Sequence, residues 1–157
     1  VESNIKETKY KKYQDDLDRL SEEYEQLYDP SNKWLVHAEL EPTNILTDDS
    51  GLIKSIVDWD NSMYADPLLD IAMCQANICE IYKHQSPWDS ETIRNSLIES
   101  YQHAVNPKRL KILRSIVSLN TAAKLDHPHR KINYEVDNKD IESLYIKLFN
   151  NTIDTIE

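Results

Sequence analysis

Glycine is almost missing: Gly51 is the only one in 157 residues. A glycine-rich phosphate loop of either standard type needs several glycines for close backbone approach, so both are excluded. If the chain handles a nucleotide, something else covers the phosphates. Positive charge is also short, with 18 Lys+Arg against 28 Asp+Glu and a net charge of −10. That argues against nucleic acid or an anionic membrane as the main partner. It is compatible with a cationic substrate, although solubility alone explains most such balances. No apolar run approaches the ~18 residues of a membrane span, and no signal peptide is visible. Cysteine is limited to Cys74 and Cys79, both inside one apolar helical pattern. Five apart, they fall on different faces of a helix and cannot easily bridge. They read as small core residues of a reducing, cytoplasmic compartment. The chain opens on Val1 rather than methionine, which reads as a processed or truncated piece.

What is present points to a mainly α protein with one small β-hairpin unit. The length gives room for one sizeable core, so a single domain over 1–157 is the default. From about Ile5 to Tyr28 the apolar positions Tyr10, Tyr13, Leu17, Leu20, Tyr24 and Leu27 recur at alternating spacings of three and four, a single stripe on a long helix. The tyrosines suit a helix docked on its own domain. A coiled coil is the rival reading, because a stripe alone does not separate the two. Asp66-Pro67 is a cap-plus-proline signal that opens a helix to about Tyr82, apolar nearly all round and so expected to be buried. Ser90 caps a helix from Glu91 to about Val105. Asn106-Pro107 opens the next, "DHPHRKINYEVDN" (126–138) is a loop, and the last helix runs from about Lys139 to Ile153. These helices form one subdomain, 66–157.

The polar residues of interest gather elsewhere, in "WLVHAELEPTNIL" (34–46) and just beyond it. Trp34 to His37 reads as a short buried strand. Ile45–Thr47 and Leu52–Val57 flank the turn residues "DDSG", a hairpin pattern. From Asp58 to Asp66 the chain reads as irregular. A hairpin brings its ends together, so Asn44 and Asp58 are expected to be neighbours. An amide oxygen beside a carboxylate is a hard-oxygen pair suited to Mg²⁺. Glu39, five residues before the asparagine, could accept a proton from a substrate hydroxyl. That is the layout of a phosphoryl-transfer site. The plainer readings stand beside it: Asn44 and Asp58 are turn-prone residue types, and Glu41 and Asp60 read as solvated. His127 and His129 lack a third ligand nearby, which argues against zinc. No Cys-His or Ser-His-Asp arrangement stands out.

"LVHAELEPTNIL" followed by "IVDWDNSMYADPLLDIA" resembles the catalytic half of the aminoglycoside phosphotransferase and choline kinase family, whose pattern is close to L-V-H-G-D-L-H-P-G-N-I-L and then I-D-W-x-x-x-G-x-x-D-P-x-x-D-L-A. His37, Leu40, Pro42, Asn44, Asp58, Trp59, Asp66, Pro67 and Asp70 fall in register. The resemblance implies the helical C-terminal lobe of a protein-kinase-like fold, with the family's N-terminal lobe absent. It implies ATP and Mg²⁺ as cofactors once such a lobe is present, and a small hydroxylated, amine-bearing acceptor. It places Glu39 at the catalytic base, Asn44 and Asp58 on magnesium, and His37 and Asp70 as supports of the loop. The departures matter as much. Glu39 replaces aspartate, Glu41 replaces histidine, and Ala38, Thr43 and Met63 replace glycines. They favour an alternative, a pseudokinase lobe that binds a partner or ligand without turnover.

Overall fold

A computed structural model describes residues 9–81, 90–101, 103–125 and 138–155. The chain divides into two compact units, one made of Val1–Tyr28 with Pro107–Glu157, the other of Asp29–Asn106. The described part of the first is helical, and that of the second joins two helices to small antiparallel β-ribbons. No helix among the described residues is long and apolar enough to cross a membrane.

In the first unit, a 3₁₀ segment (Lys9–Tyr13) leads into helix α1 (Gln14–Leu27). The expected uninterrupted helix from Ile5 is thus corrected at its start, while residues 5–8 lie outside the described residues. The physical reason lies in the contacts of its two tyrosines. In a 3₁₀ turn side chains three apart eclipse, and here the Tyr10 and Tyr13 rings stack with centroids 6.4 Å apart. The Tyr10 hydroxyl then donates to the Glu142 carboxylate, which also pairs with Lys9 at 2.7 Å, and Tyr13 meets Phe149 edge-on. The stripe does bury Tyr10, Leu17 and Leu20. Its partners are α4 (Pro107–Leu125) and α5 (Asn138–Ile153) of the same unit, with Lys108 pairing Glu23. Arg109 reaches the Leu27 carbonyl at the end of α1 and lies over the Tyr28 ring. The helix therefore docks on its own chain. Tyr28 leaves helical geometry immediately before Asp29-Pro30, as the steric demand of proline on its predecessor leads one to expect.

In the second unit, β1 (Trp34–Val36) pairs antiparallel with β4 (Met63–Ala65), and β2 (Ile45–Thr47) with β3 (Ile53–Ile56). The hairpin forms where its turn residues put it. The strand β4 corrects the expectation of irregular chain there. Three residues are too few to show a period, and their hydrogen bonds come from a strand distant in sequence. Helix α2 (Leu68–Ile81) starts under a cap: the Asp66 carboxylate accepts the Leu68 N–H at 2.9 Å. Leu68, Ala72, Cys74 and Ala76 are buried, as an all-round apolar helix requires. Helix α3 (Ser90–Ser100) packs on α2 and ends five residues before the expected Val105. Tyr101 closes a turn onto Ile98, and His103 lies edge-on between Trp34 and Tyr101, contacts that a continued helix would not make. The predicted 126–137 part of the loop, with His127 and His129, lies outside the described residues.

The single glycine sits in the hairpin turn, at φ 82° with open space where a Cβ would be. Conformation, not room, demands glycine there. Asp48 organises this turn: its Oδ1 accepts from Ser50 N–H, Ser50 Oγ and Leu52 N–H, and its Oδ2 pairs with Lys54 at 2.9 Å. The Ser50 hydroxyl, then Lys54 and the Leu52 amide, hold the carboxyl down to about 2. A depressed carboxyl stabilises the folded form above its ordinary value near 3.8 and loses that effect as pH falls through about 2. A carbon-13 titration of the Asp48 carboxyl should therefore give a midpoint near 2. In Asp48→Asn at neutral pH the Leu52 amide should exchange faster while α1 amides do not. An ordinary midpoint would show that the turn does not hold this carboxylate.

Candidate active site

The site is built where β1 ends. Val36 is buried at the last position of the strand, and the chain turns at His37, which is 1% exposed. Both ring nitrogens are engaged. Nε2 lies 2.8 Å from the Val57 carbonyl, and Nδ1 lies 3.3 Å from the Glu39 amide. A carbonyl can only accept and an amide N–H only donate, so Nε2 carries the hydrogen and Nδ1 its lone pair. His37 is thus a bridge between the loop that follows β1 and the segment that follows β3.

Asp70, in the first turn of α2, grips the same loop. Its Oδ2 accepts the His37 N–H at 2.8 Å and its Oδ1 accepts the Ala38 N–H at 2.9 Å. Two charge-assisted bonds satisfy a carboxylate that an apolar helix would otherwise leave unpaired. Ala38 itself is left-handed, with φ 63°. A non-glycine residue in that region costs about 1–2 kcal/mol; Asp70 on the Ala38 N–H and His37 Nδ1 on the Glu39 N–H hold the chain on either side of it.

Glu39 follows, half-buried, with its amide on His37 and its carbonyl accepting the Asn44 Nδ2 at 3.0 Å. Pro42–Asn44 forms a 3₁₀ turn, closed by Asn44 N–H on the Glu41 carbonyl. The Thr43 hydroxyl donates to the Glu41 carboxylate at 2.7 Å. Asn44 is 9% exposed, and its carbonyl accepts the Val57 N–H at 3.0 Å. That bond places Asp58, the next residue, beside Asn44. With Nδ2 committed to Glu39, the amide oxygen is the end of Asn44 left to meet a ligand. Asp58 is exposed, has φ 63°, and no described residue engages its carboxylate.

The structure thus brings Glu39, Asn44, Asp58, His37 and Asp70 into one linked set, and leaves Asp60 exposed outside it. Sequence reasoning gave no role to Trp59, whose ring lies edge-on to His37 with centroids 4.7 Å apart. Its place directly after Asp58 was the available signal. Cys74 was read only as core, yet its Sγ also reaches the Leu40 carbonyl at 3.6 Å behind the loop.

Residues 4–111, more than two thirds of the chain, match the phosphotransferase enzyme family (APH). The chain belongs to that family. The match covers the loop, the hairpin and α2, so every residue of the linked set lies inside it. Comparison with curated proteins and with solved structures gives no match. The family implies ATP with Mg²⁺. Among the described residues no group of three or more His, Cys, Asp or Glu could hold a metal. Asn44 and Asp58 fit a more limited role: Mg²⁺ commonly takes one or two protein oxygens and completes its shell with water and substrate phosphates.

Two expectations follow for stability. Asp70→Ala strands the amides of His37 and Ala38 and should cost roughly 1–3 kcal/mol, whereas Asp60→Ala should stay within about 0.5 kcal/mol of the parent. Urea midpoints of the two variants decide, and equal midpoints would count against the grip. At Ala38, relief of left-handed strain should exceed the roughly 0.4–1 kcal/mol of unfolded-chain entropy that glycine adds. Ala38→Gly should therefore stabilise by up to about 1 kcal/mol, while Ala76→Gly, in the buried middle of α2, should destabilise by at least about 0.5–1 kcal/mol. A lower midpoint for Ala38→Gly would refute the strain.

Proposed function

We propose that the chain carries the catalytic loop of a small-molecule phosphotransferase. It would transfer the γ-phosphoryl group of ATP to the hydroxyl of a small, amine-bearing acceptor. The observation that carries this reading is the bond from Val57 N–H to the Asn44 carbonyl, which sets Asp58 beside a buried asparagine whose amide nitrogen is already bound to Glu39. Proton acceptor and metal-side oxygens then belong to one short, rigid arrangement.

Glu39 is the group to take the proton. As the acceptor oxygen bonds to the γ-phosphorus and the bond to the β–γ bridging oxygen breaks, the hydroxyl proton passes to the Glu39 carboxylate. Asn44 and Asp58 would hold Mg²⁺, which when bound neutralises phosphate charge. His37 and Asp70 fix the loop from which Glu39 projects. The site acts through placement, so distance is the sensitive quantity. The lobe belongs to a protein-kinase-like arrangement in this reading. Cover for the phosphates would come from a second lobe, because the one glycine is committed to the hairpin turn. The acidic balance suits an acceptor that carries an amine.

A second reading has a specific observation behind it. Ala38 adopts the left-handed geometry that the family pattern gives to glycine, next to a base position holding the longer Glu39. That combination also suits a lobe that binds without turnover. Transfer of labelled phosphate from ATP to a panel of amine-bearing alcohols and aminoglycosides, by the full-length gene product and its Glu39→Asp variant, separates the readings. A displacement near 1 Å at a reacting centre can cost about a hundredfold, so the aspartate, at the length of the family pattern, should be the faster. A faster parent would identify Glu39 as an adapted base. No transfer by either form would establish the binding module.

A further inference from the structure

We propose that Trp59 is a positioning residue that ties Asp58 to Glu39 through the ring of His37. The inference rests on the functional reading above for the importance of those two carboxylates, but its geometry stands apart from it.

Trp59 is 44% exposed, so burial of apolar surface uses only part of a large side chain. Its contacts are directional. The ring meets His37 edge-on at 4.7 Å and 62°, and the indole N–H donates to the Ile56 carbonyl at 2.8 Å. The Trp59 carbonyl accepts the Ser62 N–H, which closes the following turn. Asp58 has no described side-chain partner, yet both its neighbours are pinned. Val57 is held by its carbonyl on His37 Nε2 and by its N–H on Asn44. Trp59 is held by its ring on His37 and its indole on Ile56. Asp58 cannot leave φ 63° without disturbing one of these anchors. On the other side of the ring, the bond from the Glu39 amide to Nδ1 is long, at 3.3 Å. A modest tilt of the imidazole would break it. Trp59 stands against the ring where it limits that tilt. One side chain thus fixes the backbone of Asp58 directly and that of Glu39 through His37.

Nuclear magnetic resonance on the full chain tests this without any enzymatic readout. The probes are exchange of the Glu39 amide, the three-bond HN–Hα coupling and backbone shifts of Asp58, and the Nε2 proton of His37. In Trp59→Ala the Glu39 amide should exchange at least about tenfold faster, while amides of α1 and of the hairpin turn keep their rates. Asp58 should lose its left-handed signature, and the Nε2 proton should broaden. Trp59→Phe keeps a ring edge against His37 and should restore Glu39 protection. Trp59→Leu, apolar without that edge, should not, and it decides the question if the alanine variant does not fold. Unchanged Glu39 and Asp58 signals in a folded Ala or Leu variant overturn the proposal. So does a uniform rise in exchange across all amides, which would reduce Trp59 to ordinary packing. An inactive parent protein would leave these signals unaffected, so failure of the functional reading and failure of this one are separable.

Discussion

A single carboxylate decides where the loop goes. Asp70 offers two oxygens to two consecutive amides, His37 and Ala38, and so fixes the chain as it enters the loop. The left-handed Ala38 then turns it. The direction in which Glu39 leaves the loop follows from it, and so does the position of the His37 ring that reaches Val57. The helix that carries Asp70 is itself fixed, by the Asp66 cap at its start and by the small buried residues Ala72, Cys74 and Ala76 along its length. Those small residues let backbone and loop approach closely enough for the Cys74 thiol to touch the Leu40 carbonyl. A rigid helix is thus wired to an irregular loop by hydrogen bonds that leave few donors unsatisfied, the condition for irregular chain at a functional site.

Features determined by neighbours in sequence were legible. The hairpin announced itself because "DDSG" supplies an aspartate to accept turn amides and a glycine for the left-handed position. The cap at Asp66 and the stripe of α1 were legible for the same reason. Features decided at a distance were not. Strand β4 exists because β1 offers it hydrogen bonds, and α3 stops early where His103 lies edge-on to Trp34. At the site, the left-handed backbone of Ala38 had no signature in residue type. Alanine in particular favours the opposite region. The contact between Trp59 and His37 was invisible for the reason β4 was: its two halves are far apart in sequence.

Membership of the phosphotransferase enzyme family and the departures from its pattern meet in the same few residues. Where the pattern has glycine, Ala38 is left-handed. Where it has histidine and a second glycine, Glu41 and Thr43 bond to one another on the exposed side of the loop. The bonds that Asp70 and His37 make to the loop involve none of these side chains.

The hydrogen bonds of the hairpin turn and those of the loop differ in how far apart their partners lie along the chain. Every bond of Asp48 closes within a few residues, and such hairpins form in about 1–10 μs. The grip of Asp70 joins residues 32 and 33 positions apart, and His37 reaches Val57 across 20. Closing those longer loops costs entropy that no local contact offsets. The hairpin should accordingly be an early event in folding, and the loop carrying Glu39 should be assembled late, once α2 is in place to receive it. What is assembled last is also what opens most readily from the native state. The loop carrying Glu39 should therefore open and re-form while the hairpin beside it stays folded.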